Sequence, residues 1–121
     1  MWNKRVDIGV LIGKTFTKVI QDGTGDLDFM NDDEHYSFYH DQDCCENVSL
    51  EDIVGDLSDL VGVPILGAEE VDYDGGAQGS YDESYTWTFY KFRTIKGYVD
   101  VRWYGTSNGY YSERVDCHKV K

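Results

Sequence analysis

The residues best suited to chemistry lie in one short segment, His40-Asp41-Gln42-Asp43-Cys44-Cys45-Glu46. Imidazole nitrogen and thiolate sulfur are the ligands that zinc prefers, and a tetrahedral structural site uses four of them. His40 and Cys44 are four residues apart, so a turn or short helix would place both on one side. Cys117 or His118 would supply the fourth ligand. The pattern predicts a structural zinc site built from His40, Cys44, Cys45 and Cys117. The alternative is a pair of partly buried thiols without a metal.

The same cysteines are poor candidates for a catalytic nucleophile. The thiolate is the reactive form, and the carboxylates around Cys44 and Cys45 raise the pKa of a thiol, which lowers the thiolate fraction. No neighbouring segment resembles an oxyanion loop, and none of the familiar catalytic motifs is recognisable. We therefore expect a protein that is not an enzyme.

The charge of the chain is distributed very unevenly. Residues 19 to 90 contain no Lys or Arg but carry 19 of the 23 Asp and Glu residues, and the formal net charge is −12. Such a charge repels nucleic acids and anionic membranes, and it attracts basic protein surfaces. The alternative is a solvated surface that only keeps the protein soluble. The binding interpretation assigns the partner contact to the clustered carboxylates Asp32, Asp33, Glu34, Glu51, Asp52, Asp56, Asp59, Glu69 and Glu70.

The spacing of apolar residues predicts one main helix packed on an antiparallel sheet. Ser49 begins a pattern with helical periodicity, and Gly62 and Pro64 end it. Its apolar positions are Leu50, Ile53, Val54, Leu57, Leu60 and Val61. About five to seven strands are expected; the candidate segments are residues 15–21, 26–30, 35–40, 65–71, 85–95, 98–104 and 110–117. The predicted fold class is α+β, with residues 1–121 in a single domain and a mobile acidic, Gly-rich loop at residues 72–84.

The last third of the chain combines aromatic and basic residues. In the strand predicted at residues 98–104, Val99, Val101 and Trp103 are expected to share one face. Most of the rings in this region are expected in the core of the sheet. Rings beside cations such as Arg102 can also stack a nucleobase, which gives an alternative function, the capture of a nucleotide immune signal. That alternative predicts that Arg102→Ala or Trp103→Ala abolishes capture.

The sequence indicates an intracellular protein. No segment has the length and apolarity of a transmembrane helix, and the first residues lack the cleavage pattern of a signal peptide. Three cysteines, two of them adjacent, do not form the disulfide framework of a small secreted domain. We expect a cytoplasmic location.

Three stretches resemble a family of small acidic proteins that are encoded by phages and prophages and mostly lack an assigned function. They are YHDQDCCENVSLEDIVGDLSDLVGVPIL, YTWTFYKFRTIKGYVDVRWYG and SNGYYSE. By class, such proteins are similar to anti-CRISPR inhibitors, and some inhibitors of type II systems hold zinc. The resemblance implies a counter-defence protein in the cytoplasm of an infected bacterium. It would bind a basic host protein, the RNA-guided nuclease of a type II CRISPR system, and block its loading with DNA.

Overall fold

Strands make up most of the residues that are described in a computed structural model, which are 4–23, 25–40, 47–74, 84–107 and 114–121. Nine strands and two short 3-10 helices lie in these ranges. The strands are β1 Lys4–Val6, β2 Lys18–Asp22, β3 Asp26–Met30, β4 His35–Tyr39, β5 Asn47–Val54, β6 Gly67–Asp74, β7 Ser84–Thr94, β8 Gly97–Ser107 and β9 Asp116–Lys119. The helices are η1 Ile8–Leu11 and η2 Leu57–Leu60.

The strands form two antiparallel sheets. The five-stranded sheet has the order β1-β9-β4-β3-β2, so the last strand of the chain is inserted between β1 and β4. The four-stranded sheet has the order β5-β8-β7-β6 and contains the two longest strands, β7 and β8. Strands β5 and β6 are therefore its edges.

Aromatic rings from the two sheets meet in a shared core. Phe29 of the five-stranded sheet lies 5.0 Å from Phe92 of the four-stranded sheet, and Phe38 lies 4.8 Å from Tyr90, measured between ring centroids. Trp103 is fully buried, and its indole N–H donates to the carbonyl of Gly25 at 2.9 Å. The fold is thus a β-sandwich whose layers are held by aromatic packing.

Strand β8 confirms the predicted alternation. Val99, Val101 and Trp103 are fully buried, whereas Tyr98 is 72% exposed. The strand predicted at residues 26–30 is β3 with the predicted bounds, and the five predicted nearest to β2, β4, β6, β7 and β8 are present with shifted ends. The segment predicted at residues 110–117 yields β9, which begins at Asp116, and residues 110–113 lie outside the described ranges.

The α+β fold class was wrong, because the segment predicted as the main helix is a strand followed by one turn of 3-10 helix. Strand β5 pairs with β8, and the register shifts between Leu50 and Asp52, which marks a β-bulge. A bulge adds one residue, so inward-facing positions on its two sides become three residues apart instead of two. Leu50 and Ile53 show this spacing, which is also the spacing expected on one face of a helix.

Gly55 fixes the end of β5. Its φ is +109°, and a Cβ at this position would lie 2.6 Å from the carbonyl oxygen of Tyr98. Asp56 then caps η2 by accepting a hydrogen bond from the N–H of Ser58 at 3.0 Å. The chain therefore turns sharply at Gly55, and the apolar residues of η2 pack against the sheet through Leu60.

The two ends of the predicted loop at residues 72–84 belong to strands. Asp72–Asp74 belong to β6 and Ser84 begins β7, whereas residues 75–83 lie outside the described ranges.

In the part of the chain that the structure describes, no helix has the length and apolarity needed to cross a membrane.

Candidate binding surfaces

The nine predicted partner-binding carboxylates do not form one cluster. Asp32 and Asp33 lie exposed on the turn between β3 and β4. Glu51 and Asp52 lie on the edge strand β5 instead of on a helix, Asp56 and Asp59 lie at η2, and Glu69 and Glu70 lie on β6. The fold therefore divides the acidic segment among four places.

Glu34 is a structural residue. Its carboxylate accepts hydrogen bonds from the Tyr36 hydroxyl at 2.7 Å and from the Lys14 ammonium at 3.0 Å, and Lys119 lies 3.7 Å away. The Tyr36 hydrogen bond and the two ammonium groups lower the pKa of Glu34. The carboxylate joins β4 to β9 and to the segment before β2, so it is engaged within the fold.

Several of the other carboxylates face basic residues of neighbouring strands. Asp52 lies 3.9 Å from Arg102, and Glu69 is in register with Lys91. Antiparallel pairing thus places the basic residues of β7 and β8 beside the acidic edge strands. Among the described residues, no ion pair involves Asp32, Asp33, Glu51, Asp56 or Asp59.

Exposed apolar side chains surround η2. Val54 is 61% exposed, Ile95 is 81% exposed and Tyr98 is 72% exposed. The Thr94 hydroxyl donates to the carbonyl of Asp59, which joins η2 to the turn between β7 and β8. We call the group formed by Val54, Asp56, Asp59, Ile95 and Tyr98 the η2 surface. It combines three apolar side chains with two carboxylates, which is the composition of many protein-binding patches.

The outer face of the four-stranded sheet carries a second candidate surface. Strand registers place Tyr73, Trp87 and Tyr104 in one row across β6, β7 and β8. The next row contains Val71, Phe89, Arg102 and Asp52, and the one after it contains Glu69, Lys91 and Asp100. The outer face of an antiparallel sheet usually carries polar side chains. Here the first of these rows is aromatic, and the second contains the apolar side chains Val71 and Phe89 beside the Arg102–Asp52 pair.

Arg102 and Trp87 form the centre of this aromatic area. The guanidinium carbon of Arg102 lies 5.1 Å from the Trp87 ring centroid, within the range of a cation–π contact. Tyr104 lies 4.4 Å and Phe89 6.4 Å from Trp87, between ring centroids. Tyr73, Trp87, Phe89 and Arg102 line a depression of about 340 Å³, which we call the Trp87 site.

A cleft lies between β1 and β6, the strands at one edge of each sheet. Its volume is about 340 Å³, and its buried lining includes Tyr90 and Cys117. The Tyr90 hydroxyl lies 3.0 Å from Glu70 Oε1 and also contacts the Val115 carbonyl. Burial, then the neighbouring Asp72 carboxylate, raise the pKa of Glu70 despite the hydrogen bond from Tyr90.

The zinc prediction falls only partly within the described residues. Cys44 and Cys45 lie outside them, so two of the four predicted ligands have no position here. His40 follows β4, and its Nδ1 lies 2.7 Å from the carbonyl oxygen of Arg114, which is the type of contact that orients metal-binding histidines. In the described ranges, no group of three or more His, Cys, Asp or Glu is arranged for metal binding.

Cys117 and His118 cannot both serve one site from β9. Cys117 is in register with the core residue Phe38, whereas His118 is in register with Ser37 and stacks on Tyr39 at 4.0 Å, on the opposite face. Burial raises the pKa of the Cys117 thiol to about 12. Zinc binding at Cys117 would therefore have to displace a firmly held proton. The zinc site stays a prediction.

One comparison with known proteins gives a family. The model of a domain of unknown function, DUF7448, matches residues 10–117. The chain belongs to the DUF7448 family. No curated protein and no solved structure is significantly similar to it. Membership of this family assigns no function to the DUF7448 protein.

The sequence does not reveal Tyr73 as part of the Trp87 site, and it suggests Trp103, a core residue, as a contact for a nucleotide. The predicted loop at residues 72–84 includes Tyr73, because the acidic, Gly-rich composition of this segment conceals the end of β6. Trp103, predicted to contact a nucleotide, is fully buried. The alternation of residues along β7 could have identified Trp87 and Phe89 as outward-facing. They share one face of the strand with Lys91, whereas Tyr90 and the other core residues share the opposite face.

Proposed function

We propose that this DUF7448 protein is a non-catalytic inhibitor that binds a basic surface of a nucleic-acid-handling protein and keeps nucleic acid away from it. The target we propose is the RNA-guided nuclease of a type II CRISPR system, and the blocked step is DNA loading. This is the role of inhibitors that phages use against bacterial defence. The observation that carries the proposal is the η2 surface, where exposed apolar side chains and carboxylates without ion pairs among the described residues lie together.

The net charge and the η2 surface would act at different stages of binding. A net charge of −12 accelerates the approach to a cationic groove, and this effect weakens as salt is added. Ile95, at 81% exposure, and Tyr98 would then supply the desolvated contact that keeps the complex together. Asp56 and Asp59 would pair with Lys or Arg of the target at the rim.

The test is DNA cleavage by the purified nuclease, with its guide RNA, in the presence of increasing amounts of the inhibitor. The double variant Asp56→Asn/Asp59→Asn removes two charges from the η2 surface, and Asn retains the capping ability needed at position 56. The matched control, Asp22→Asn/Asp26→Asn, removes two charges from the β2–β3 hairpin. We expect at least a tenfold loss of inhibition for the first variant and less than threefold for the control.

The other outcomes would contradict the proposal in different ways. Equal losses for the two double variants would mean that net charge alone matters and that the η2 surface is not the interface. Unchanged inhibition by Ile95→Lys, in a variant whose circular dichroism matches the parent, would exclude the apolar contact. If the unmodified protein does not inhibit the nuclease at any salt concentration, the proposed target is wrong.

A further inference from the structure

We propose that the Trp87 site binds a mononucleotide, with the base stacked on the aromatic side chains and the phosphate held by basic residues of β7. This inference does not depend on the proposed inhibition, because the ligand and the measurement are different and only Tyr98 borders both the η2 surface and the depression beside Lys91. It rests on two adjacent rows of the outer sheet face, which contain Tyr73, Trp87 and Tyr104 in one row and Val71 and Phe89 in the next, and which the second sheet does not cover. Tyr73 is 60% exposed and Val71 is 40% exposed in those rows.

The arrangement of the rings suits a flat heteroaromatic group. Trp87 and Phe89 are stacked with an interplanar angle of 24°, and exposed Tyr73 is in register with Trp87 on the edge strand. A base inserted beside Trp87 would cover the apolar rings and gain stacking energy of about 1–3 kcal/mol per base. A flexible aliphatic ligand would cover the same rings without this face-to-face contact.

Arg102 supplies a polar group that lacks a partner. Its Nε is buried and has no hydrogen-bond partner in the part of the chain that the structure describes. The nearest carboxylate oxygen of Asp52 lies 3.9 Å from Nη2, which is too long for a good hydrogen bond. The Arg102 side chain as a whole is 43% exposed, so its Nη groups can donate to a ring nitrogen or carbonyl oxygen at the edge of a base.

Cationic side chains continue from the rings along the same strand. Phe89, Lys91 and Arg93 alternate with buried residues on β7, so successive members lie roughly 7 Å apart on the outer face. None of the ion pairs among the described residues involves Lys91 or Arg93. These side chains line a second depression of about 450 Å³. A phosphate joined to a base at the Trp87 site would reach this position.

The charge balance favours a single nucleotide over a polynucleotide. Glu69 and Asp100 flank Lys91 in register, so the cations of this face are locally balanced by carboxylates. With a net charge of −12, each additional phosphate would add repulsion over the whole molecule. One or two phosphates can be accommodated by Lys91, Arg93 and Arg102, whereas a long strand cannot.

The test uses AMP, adenosine, inorganic phosphate and an adenine oligonucleotide as probes, with affinities of all variants measured by isothermal titration calorimetry and the contact in the parent protein followed by nitrogen-15 NMR of the Trp87 indole. We expect AMP to shift this resonance in a saturable way and adenosine to bind more weakly. Trp87→Ala should weaken AMP binding at least tenfold, and Trp87→Phe, which keeps a ring, should weaken it less. Lys91→Gln/Arg93→Gln should reduce the affinity for AMP to that for adenosine. Ile12→Ala, at an apolar residue that is 50% exposed elsewhere, is the control.

Three results would overturn the proposal. The first is the absence of any shift at Trp87 with millimolar AMP, and the second is unchanged AMP affinity in folded Trp87→Ala. The third is tighter binding of the oligonucleotide than of AMP, which would identify a polynucleotide site instead. Asp56→Asn/Asp59→Asn should bind AMP normally, so failure of the inhibitor proposal and failure of the nucleotide proposal remain separate.

Discussion

Trp87 and Trp103 lie on adjacent strands of the same sheet but on opposite faces. Trp103 is in register with Thr88, the residue that follows Trp87, and it is fully buried against the other sheet. Trp87 faces outward and contacts Arg102. The two indoles therefore have different roles, one in the core and one on a surface that can bind.

The first prediction follows from this relationship. Trp103→Ala should lower the free energy of unfolding by about 3–5 kcal/mol, because it leaves a cavity and removes the hydrogen bond to Gly25. Trp87→Ala should cost about 1 kcal/mol, since only cross-strand contacts are lost. Urea denaturation measures both values. Similar losses in the two variants would mean that Trp87 is also a core residue.

The second prediction concerns Gly55, where positive φ and a close backbone contact coincide. Gly55→Ala should destabilise the protein by about 1–3 kcal/mol more than Gly62→Ala, because the added methyl would press against the Tyr98 carbonyl. Gly62 is the matched control, since its φ is +80° but a Cβ there meets nothing within 4 Å. Thermal unfolding provides the comparison. Equal destabilisation would show that the backbone moves away at no cost.

The third prediction concerns the pH dependence of stability. Because the pKa of Glu70 is raised, the folded state binds a proton there more tightly than the unfolded state. Stability should fall as the pH rises from the unfolded value through the raised pKa, and it should stay lower at neutral pH. Protonated Glu70 can donate to the Tyr90 hydroxyl while that hydroxyl donates to Val115, and a Gln side chain can do the same.

Glu70→Gln should therefore be more stable than the parent at pH 7, with a difference that vanishes as the pH falls below the Glu70 pKa. Melting temperatures between pH 4 and pH 7 give the measurement. Glu69→Gln removes an equal charge from an exposed position and controls for net charge. A parent protein that is more stable than Glu70→Gln at pH 7 would mean that the ion pair with Arg114 outweighs burial.

The fourth prediction tests the zinc site. If His40, Cys44, Cys45 and Cys117 hold a structural zinc ion, the purified protein should contain one zinc per chain by elemental analysis. His40→Ala and Cys117→Ser should each reduce this content, while Ser37→Ala, beside His118 on the opposite face of the sheet, should not. A parent protein without zinc would refute the site, and retention of zinc by Cys117→Ser would remove Cys117 from it.

The sequence predicted the local elements with regular alternation better than the element with a bulge. In β8 every second residue from Val99 to Ser107 is buried, and its apolar members Val99, Val101 and Trp103 could be assigned to one face without any tertiary information. In β5 the bulge places the inward-facing residues Leu50 and Ile53 three positions apart instead of two, which is also the spacing on one face of a helix. Pairing with β8 decided the conformation of that segment, and pairing is a non-local interaction.

The acidic character of the chain was determined by the sequence alone, because charge depends only on composition. Tertiary structure decided which carboxylates remain available. Antiparallel pairing brought Arg102 beside Asp52, and packing enclosed Glu34 between Tyr36 and two lysines, while the carboxylates at η2 kept no ion pair among the described residues. Tertiary structure also decided which of Trp87 and Trp103 is buried. The two indoles lie on opposite faces of one sheet, and the second sheet covers the face that carries Trp103. Charge is additive along a chain, whereas exposure and pairing are set by contacts between residues far apart in sequence.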